Sequence, residues 1–585
     1  MSGSKKRATA GPFFCAVLSV FWTLGCQSPA PVAREPQAGA TRRPEPPKST
    51  PSPRALATRS SLAPASLTPP AEPTPSPSVT PESIPASEIA DPVSRLALQP
   101  PGPAKPAGSR DSQLEALTQQ AKQTRMAAHW RKAGERALKV HHYSTAASAF
   151  RQEAAIYRSK GFLQAALAQE ARADQYSTEF GFYLSGRSSS GARLQRLEPE
   201  AGCLVGAFID RDDKVRSFMM GSQTHGDIDE FNELTGKKHA SFFMYRAYGE
   251  PFPRQWAEYL KEREAIVHLA WEPRELSKVK DDAYLERFVD DMVALDHPVM
   301  LRFASEMNGE WTPYHGSPQR YREAFRMVYR ATRRAPKVAL LWCPNTIPRQ
   351  NIEEYYPGDD SVDWVGVNFY SVPFLDNDRS RPGELIHPTD HLRYVYDLYA
   401  SRKPIAIGEW AASHQSSATT KPMVEFAKTK ISQLYGSLPT RFPKVKMVNW
   451  YSSNNLRHAS PSRQLNNYQV TEPQELLEHY SSAVSSPYFL GAGQSQSAVG
   501  LGFRPVFGRV SAESRSELRI ALKTYVQRPK VYIRLNGKMK LATDEPLDWR
   551  LSGRNWKVGK NTVEVLVYDR DNRFITRETL VLHRS

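Results

Sequence analysis

Two glutamates stand at the ends of apolar, strand-like runs far apart in the chain. Glu306 closes Val299-Met300-Leu301-Arg302-Phe303-Ala304-Ser305, and Glu409 closes Pro404-Ile405-Ala406-Ile407-Gly408. A carboxylate behind so much apolar chain is costly unless something at the strand tip uses or solvates it. Two such tips suggest paired carboxylates, the equipment for cutting glycosidic bonds. In that chemistry Glu306 keeps its proton for the leaving oxygen and Glu409 stays ionised to attack the anomeric carbon, so their surroundings must push their pKa values apart. Arg302, Ala304 and Glu306 alternate along their run and are expected to point the same way. Arg302 is placed to hold Glu409 ionised, Tyr370 to donate a hydrogen bond to it, and Asn308 to hold the sugar hydroxyl next to the reacting carbon.

Such a pair needs a scaffold that brings distant segments to one opening. Between about Leu204 and Leu490, short apolar runs alternate with helix-like stretches. The runs are Leu204–Ile209, Ala240–Tyr248, Ala265–Trp271, Val299–Ser305, Val338–Cys343, Val362–Phe369, Pro404–Gly408 and Val445–Trp450. Near-continuous apolar segments are the mark of parallel strands buried on both faces. Amphipathic stretches such as Ala283–Leu295 and Gln319–Thr332 lie between several of them. The pattern predicts an α/β TIM barrel over residues 200–490, whose strand C-termini share one rim. Carboxyls about 5–5.5 Å apart across that rim would retain anomeric configuration. Trp271, Trp311, Trp342, Tyr370, Trp410 and Trp450 fall at or just after strand ends. Aromatic planes pack on the C–H faces of sugars, so these positions read as a glycan cleft. His268 is a further substrate-binding candidate, although a histidine there is more often core. Glu272, Asp210 and Glu310 rank below Glu306 and Glu409.

The flanks differ in kind. Residues 27–110 are rich in Pro, Ser, Ala and Thr and read as a disordered linker. Residues 111–180 turn helical, with small residues at steps of three and four. They read as a short bundle of TPR-like hairpins that packs on the next domain, with binding of a protein partner as the alternative. Residues 503–585 alternate apolar and polar around Asn536-Gly537 and Asp569–Asn572, the pattern of a small antiparallel Ig-like β-sandwich.

The chain begins with Lys5, Lys6 and Arg7, then an apolar stretch from Phe13 to Leu24 that is too short for a comfortable membrane span. Thr23-Leu24-Gly25-Cys26 resembles the end of a bacterial lipoprotein signal, residues 1–26, with Cys26 as the acylated residue. An exported, lipid-anchored envelope protein is expected, with simple secretion as the alternative. Of four cysteines, Cys203 and Cys343 fall on opposite rims of the expected barrel and are read as free thiols. No Cys/His grouping has zinc spacing, so no metal and no organic cofactor is implied. The formal charge is +17, but the basic residues are scattered without a basic stripe. Nucleic acid is therefore not an expected partner.

The run Arg302-Phe303-Ala304-Ser305-Glu306-Met307-Asn308-Gly309-Glu310-Trp311 resembles the acid/base motif of glycoside hydrolase family 26, the β-mannanase-type enzymes of clan A. Arg302, Asn308-Gly309, Trp311 and Tyr314 match that motif. Trp342-Cys343-Pro344-Asn345 is similar to the family's fifth strand, Val362–Tyr370 to its sixth, and Lys403–Trp410 to its nucleophile strand. The resemblance covers roughly the barrel. It implies Glu306 as acid/base and Glu409 as nucleophile. It also implies a His immediately before the acid/base that helps arrange the nucleophile, and this chain has Ser305 there. The expectation is a retaining endo-glycosidase acting on a β-linked polysaccharide. β-Mannan is the first choice, and mixed-linkage β-glucan or an exopolysaccharide comes next. The alternative is a non-catalytic carbohydrate-binding or surface-assembly lipoprotein that keeps the barrel.

Overall fold

Eight parallel strands close on themselves. They are β1 (Cys203–Arg211), β2 (Ser241–Ala247), β3 (Ile266–Glu272), β4 (Val299–Phe303), β5 (Val338–Trp342), β6 (Trp364–Ser371), β7 (Ile405–Ala412) and β8 (Val445–Ser453). Each pairs with the next, and β8 returns to β1 through Met447↔Leu204 to Ser453↔Arg211. This is a TIM barrel. A computed structural model of the chain describes residues 111–187, 194–494, 501–526, 529–543 and 548–585. The signal segment with Cys26, and the linker expected over residues 27–110, lie outside the described residues.

The strands are buried almost throughout because both of their faces are covered. Helices take the outer face. Helix Ala283–Leu295 starts where the Asp282 carboxylate accepts the N–H groups of Tyr284 and Leu285, both at 3.1 Å, which satisfies two of its free donors. It buries Leu285, Phe288, Val289, Met292 and Leu295, the one-sided stripe of a helix lying on a sheet. Pro318 opens helix Pro318–Thr332, where its missing N–H costs nothing. The crossing from β5 to β6 carries only the 3-10 turns Glu353–Tyr355 and Asp359–Ser361. By the alternation of the pleat, Leu204, Ile266, Met300, Ala339, Leu341, Trp364, Ala406 and Met447 form a second cluster inside the barrel. Higher up, the Ser241 hydroxyl donates to Asn449 Oδ1 at 2.9 Å. A Cβ on Gly206 would lie 2.1 Å from both of those side chains, so only glycine fits between them. Cys203 and Cys343 are both buried and free.

Four helices precede the barrel: α1 (Ser112–Thr124), α2 (Ala127–Lys139), α3 (Tyr143–Ser159) and α4 (Leu163–Tyr176). They pack through small residues, Ala133, Ala137, Ala146, Ala147 and Ala154. A Cβ on Gly134 would lie 2.6 Å from the Phe150 ring, which shows how closely α2 and α3 approach.

The C-terminal sandwich has a four-stranded and a five-stranded sheet over a core that includes Leu518, Ile520, Val531, Ile533, Val563, Val565 and Leu580. One of its strands comes from elsewhere. Glu179–Arg187, ahead of the barrel, pairs with Leu501–Val506 on one side and Glu517–Lys523 on the other. The sandwich is thus completed by chain from before the barrel, which a reading of residues 503–585 alone does not supply. Asn536 and Gly537 form its tight turn at φ 52 and 80. Lys523 is buried where its ammonium meets the Asp174 carbonyl at 2.9 Å and the Asp390 carboxylate. It joins α4, the sandwich and the barrel helix Pro388–Tyr399.

Candidate active site

β4 ends at Phe303, and the next residues do not continue its alternation. Ala304 and Glu306 take positive φ of 48 and 57. Such backbone costs of order 1–3 kcal/mol per residue and must be held by its surroundings. The Ala304 N–H donates to the Trp271 carbonyl at 3.0 Å on the β3 side, and the Glu306 N–H to the Cys343 carbonyl at 2.8 Å on the β5 side. Between them, the Ser305 hydroxyl donates to Glu272 Oε1 at 2.6 Å and its N–H to Oε2 at 3.2 Å. The turn, rather than strand parity, aims Glu306 into the mouth.

The Glu306 carboxyl is almost wholly buried and meets three neutral donors. Asn345 Nδ2 and Asn368 Nδ2 each reach Oε1 at 3.0 Å, and the Trp311 indole N–H reaches Oε2 at 2.7 Å. Burial raises its pKa above the usual carboxylate range, and these three donors oppose the rise. The indole can turn back because residue 309 is glycine: a Cβ there would sit 2.2 Å from the Trp311 ring.

Asn308 has a different place from the one expected. Its Nδ2 donates to the carbonyls of Asn345 and Pro348 at 2.9 and 3.0 Å, and its Oδ1 accepts the Asn345 N–H at 2.9 Å. The side chain is spent binding two rim loops together and holds no group free for a sugar hydroxyl.

Glu409 reaches the mouth through an irregularity. In the β6–β7 ladder Ile407 pairs with Val367 and Glu409 with Asn368, so Gly408 is an extra residue. This bulge changes the parity of β7 and turns Glu409 inward. Its carboxylate forms an ion pair with Arg302, both side chains being 0% exposed. It also accepts hydrogen bonds from the hydroxyls of Tyr245 and Tyr370, each at 2.7 Å. Burial raises the Glu409 pKa to about 7, and the nearby Glu306 charge adds to the rise; the Arg302 guanidinium opposes it most but does not outweigh the burial. Arg302 lies over the Phe243 ring with its guanidinium carbon 5.0 Å from the centroid.

Glu272, ranked below the pair on sequence, forms a buried group of its own. Besides Ser305 it meets the Tyr314 hydroxyl, which also lies 2.5 Å from the Ser305 carbonyl. Burial pushes its carboxyl up to about 7, against hydrogen bonds from Ser305 and Tyr314. Asp210 anchors a hairpin instead, accepting the Gly226 N–H at 3.1 Å beside His225.

The tryptophans divide. Only Trp311 touches a carboxylate of the mouth. Trp271 stacks on Phe288 of an outer helix, with centroids 4.1 Å apart. Trp342 packs edge-on against Tyr356 and Tyr399 at 4.9 and 5.5 Å. Trp450 meets Trp410 at 4.9 Å and gives its indole N–H to the Tyr468 carbonyl at 3.0 Å. These rings point outward, into the layer between strands and helices, and line no cleft. His268 is fully buried inside the barrel beside Phe243, with centroids 5.3 Å apart. Desolvation and the Arg302 charge keep it neutral, and it makes no hydrogen bond to either carboxylate.

Tyr245, Asn345 and Asn368 are contacts that the sequence reading missed. Tyr245 lies two residues after Phe243 on β2, the inward parity. Asn368 is the one amide in an otherwise apolar β6, and such a residue signals a use. Among the described residues, no group of three or more His, Cys, Asp or Glu side chains is arranged to hold a metal ion.

A model of "Glycosyl hydrolase family 26" matches residues 273–381, which include Glu306 and its three donors. The chain is 24% identical over 302 residues to "Endoglucanase H" of Acetivibrio thermocellus, covering 48% of this chain and 31% of that protein. It is 31% identical over 106 residues to a "Beta-1,3-xylanase" of Alcaligenes sp, covering 17% and 22%. The chain thus spans about a third or less of the length of these curated relatives. Among solved structures it is similar to a "Cellulomonas fimi endo-beta-1,4-mannanase double mutant", at 16% identity and a TM-score of 0.36, over 65% of this chain and 94% of that one. The stretch that carries Glu306 and its three donors is thus similar to glycosyl hydrolase family 26.

Proposed function

We propose that the chain is a retaining endo-glycoside hydrolase acting on a β-linked polysaccharide by double displacement. The observation that carries this is the unequal setting of two carboxyls at one barrel mouth. Glu409 touches a full cation and two phenols, whereas Glu306 touches only neutral donors. Contact with a guanidinium in a low-dielectric site favours the anion at Glu409. Glu306, buried without a cation in contact, is the group suited to carry the proton.

In the first step Glu306 gives its proton to the glycosidic oxygen while a Glu409 oxygen bonds to the anomeric carbon and the leaving sugar departs as an alcohol. In the second, Glu306 takes a proton from water, whose oxygen attacks the same carbon and releases Glu409 as a carboxylate. Arg302, Tyr245 and Tyr370 fix the Glu409 carboxylate in its buried seat.

The test is reducing-sugar release from a panel of β-mannan, mixed-linkage β-glucan, β-1,3-xylan and acidic exopolysaccharides, comparing the protein with Glu409→Ala. Turnover lost in the variant supports the reading. Glycan binding without turnover by the unsubstituted protein would instead favour the carbohydrate-binding alternative, to which the turning of Ser305 toward Glu272 lends support. Early NMR of the products should show the anomeric form of the substrate. We also propose export with lipid anchoring at Cys26, tested by whether Cys26→Ser leaves the membrane fraction.

A further inference from the structure

The crossing after β8 carries a cation that the reaction does not use. Arg463 ends the 3-10 turn Pro461–Arg463. The segment that follows is tied to the mouth: Asn466–Asn467 pairs with Gln415–Ser416 beyond β7, and the Tyr468 N–H donates to the Ser453 carbonyl at the end of β8 at 2.9 Å. The Ser417 N–H donates to the Leu465 carbonyl at 2.9 Å. The turn is thus a fixed part of the rim beside Glu409.

Arg463 Nη1 is buried and has no hydrogen-bond partner among the described residues, and the side chain enters no ion pair there. The ionisable groups whose charge reaches it are Glu306 and the Tyr451 phenol, neither of them in contact with it. Tyr451 in turn stacks on Phe208, with centroids 5.0 Å apart and planes at 6°, and meets Tyr370 edge-on at 5.7 Å. Arg211, at the end of β1 in register with Ser453, also acts on the Tyr451 phenol. Two guanidiniums therefore act on one phenol, on the side of the mouth where Tyr370 holds Glu409.

A buried guanidinium N–H without an acceptor is costly. Arg333 meets this need through Asp363, and Arg441 and Arg302, which also carry an unpartnered Nη1, at least have Glu179 and Glu409 as counter-ions; Arg463 has no counter-ion among the described residues. Glu306 cannot serve as counter-ion while it carries the proton for the leaving oxygen. The missing acceptor must then arrive with the ligand, and the planar fork of arginine matches a carboxylate. The net charge of +17 also draws polyanions toward the protein.

We propose that Arg463 reads a carboxylate on the glycan, so that the preferred substrate is a β-linked polysaccharide bearing uronic acid or other carboxylate-substituted sugars. This rests on the glycosidase reading above and narrows its substrate class.

The test compares kcat/KM on a uronate-containing β-glycan with that on the same polymer after its carboxyls are reduced to alcohols. The acidic form should be preferred by about tenfold or more, the scale of one charge-assisted hydrogen bond. In Arg463→Gln that ratio should fall toward one, and Arg463→Lys should keep part of it. A reduced polymer cut as well as the acidic one overturns the proposal. So does an Arg463→Gln protein that slows both equally, or shifts the pH profile on the reduced polymer, because Arg463 would then act on Glu306. A second arm separates this from failure of the glycosidase reading. Glu409→Gln protein is titrated calorimetrically with an acidic oligosaccharide and its reduced counterpart. Weakening of the acidic ligand alone by about tenfold on adding Arg463→Gln supports the carboxylate contact even where no glycan is cut. Equal affinities overturn it.

Discussion

Arg302 and Glu409 come from strands β4 and β7 and meet as an ion pair with both side chains at 0% exposure. Desolvation of two such charges is repaid only when both are present, so removing one costs about 3–5 kcal/mol. Arg302 also opposes the burial-driven rise of the Glu409 pKa. In Arg302→Met the Glu409 pKa rises further, so the ionised nucleophile forms only at higher pH. The acid limb of the kcat/KM–pH profile should move upward and thermal stability should fall. A variant with an unmoved acid limb would show that Arg302 does not set the ionisation of Glu409.

Glu306 is the proton donor in the proposed reaction, and its replacement should depend on the leaving group. Glu306→Gln keeps one acceptor for the Asn345, Asn368 and Trp311 donors but has no proton to give. General acid catalysis supplies about 10²–10⁴-fold. kcat on a polysaccharide should fall by that order, while an aryl glycoside with a good leaving group should lose far less in its first step. Equal losses on both substrates would contradict the assignment.

Gly408 is the extra residue that turns Glu409 inward. A Cβ on it would lie 2.6 Å from Asn368 Oδ1, 2.7 Å from Cys343 Sγ and 3.2 Å from Arg302 Nη1. Gly408→Ala must push one of these groups aside, and overpacking of this kind costs about 1–3 kcal/mol. Because the displaced groups hold Glu306 and Glu409, kcat should drop by more than the stability loss alone explains at a temperature where the variant is folded. Calorimetry beside kinetics checks this.

The barrel was legible because parallel strands covered on both faces leave near-continuous apolar runs, and all eight stand in the sequence. The tips bearing Glu306 and Glu409 were legible for the same reason. Direction was not. Strand parity sends Trp271, Trp342 and Trp450 outward, an odd number of residues (three, one and one) from the inward positions of His268, Leu341 and Asn449, so position near a strand end was a poor guide to the cleft. Parity also fails at the two glutamates, one turned by positive φ at Ala304 and Glu306 and the other by the bulge at Gly408. Bulges and left-handed residues are settled by contacts with neighbouring strands, which one-dimensional spacing does not carry. Asn308 was misread for a related reason: its partners are backbone groups of the loop after β5.

Glu272 gives a pH signature separate from catalysis. Its carboxyl is raised from 4.5 to about 7 in the folded protein, chiefly by burial. Between those values the unfolded chain has released the proton and the folded one still holds it. Stability therefore falls as pH rises through this window, being greatest below the unfolded value. At one unit per 1.36 kcal/mol the loss is about 3 kcal/mol. Glu272→Gln keeps an acceptor for the Ser305 hydroxyl and removes the titration. Denaturant unfolding at several pH values from 4.5 to 7 should show a downward slope in the unsubstituted protein that is flatter in the variant. Because Glu272 holds the turn at Ser305 rather than the substrate, the same change should disturb kcat less than Glu306→Gln does. A slope identical in both proteins would mean that Glu272 stays ionised in the fold, held by Ser305 and Tyr314 against its burial.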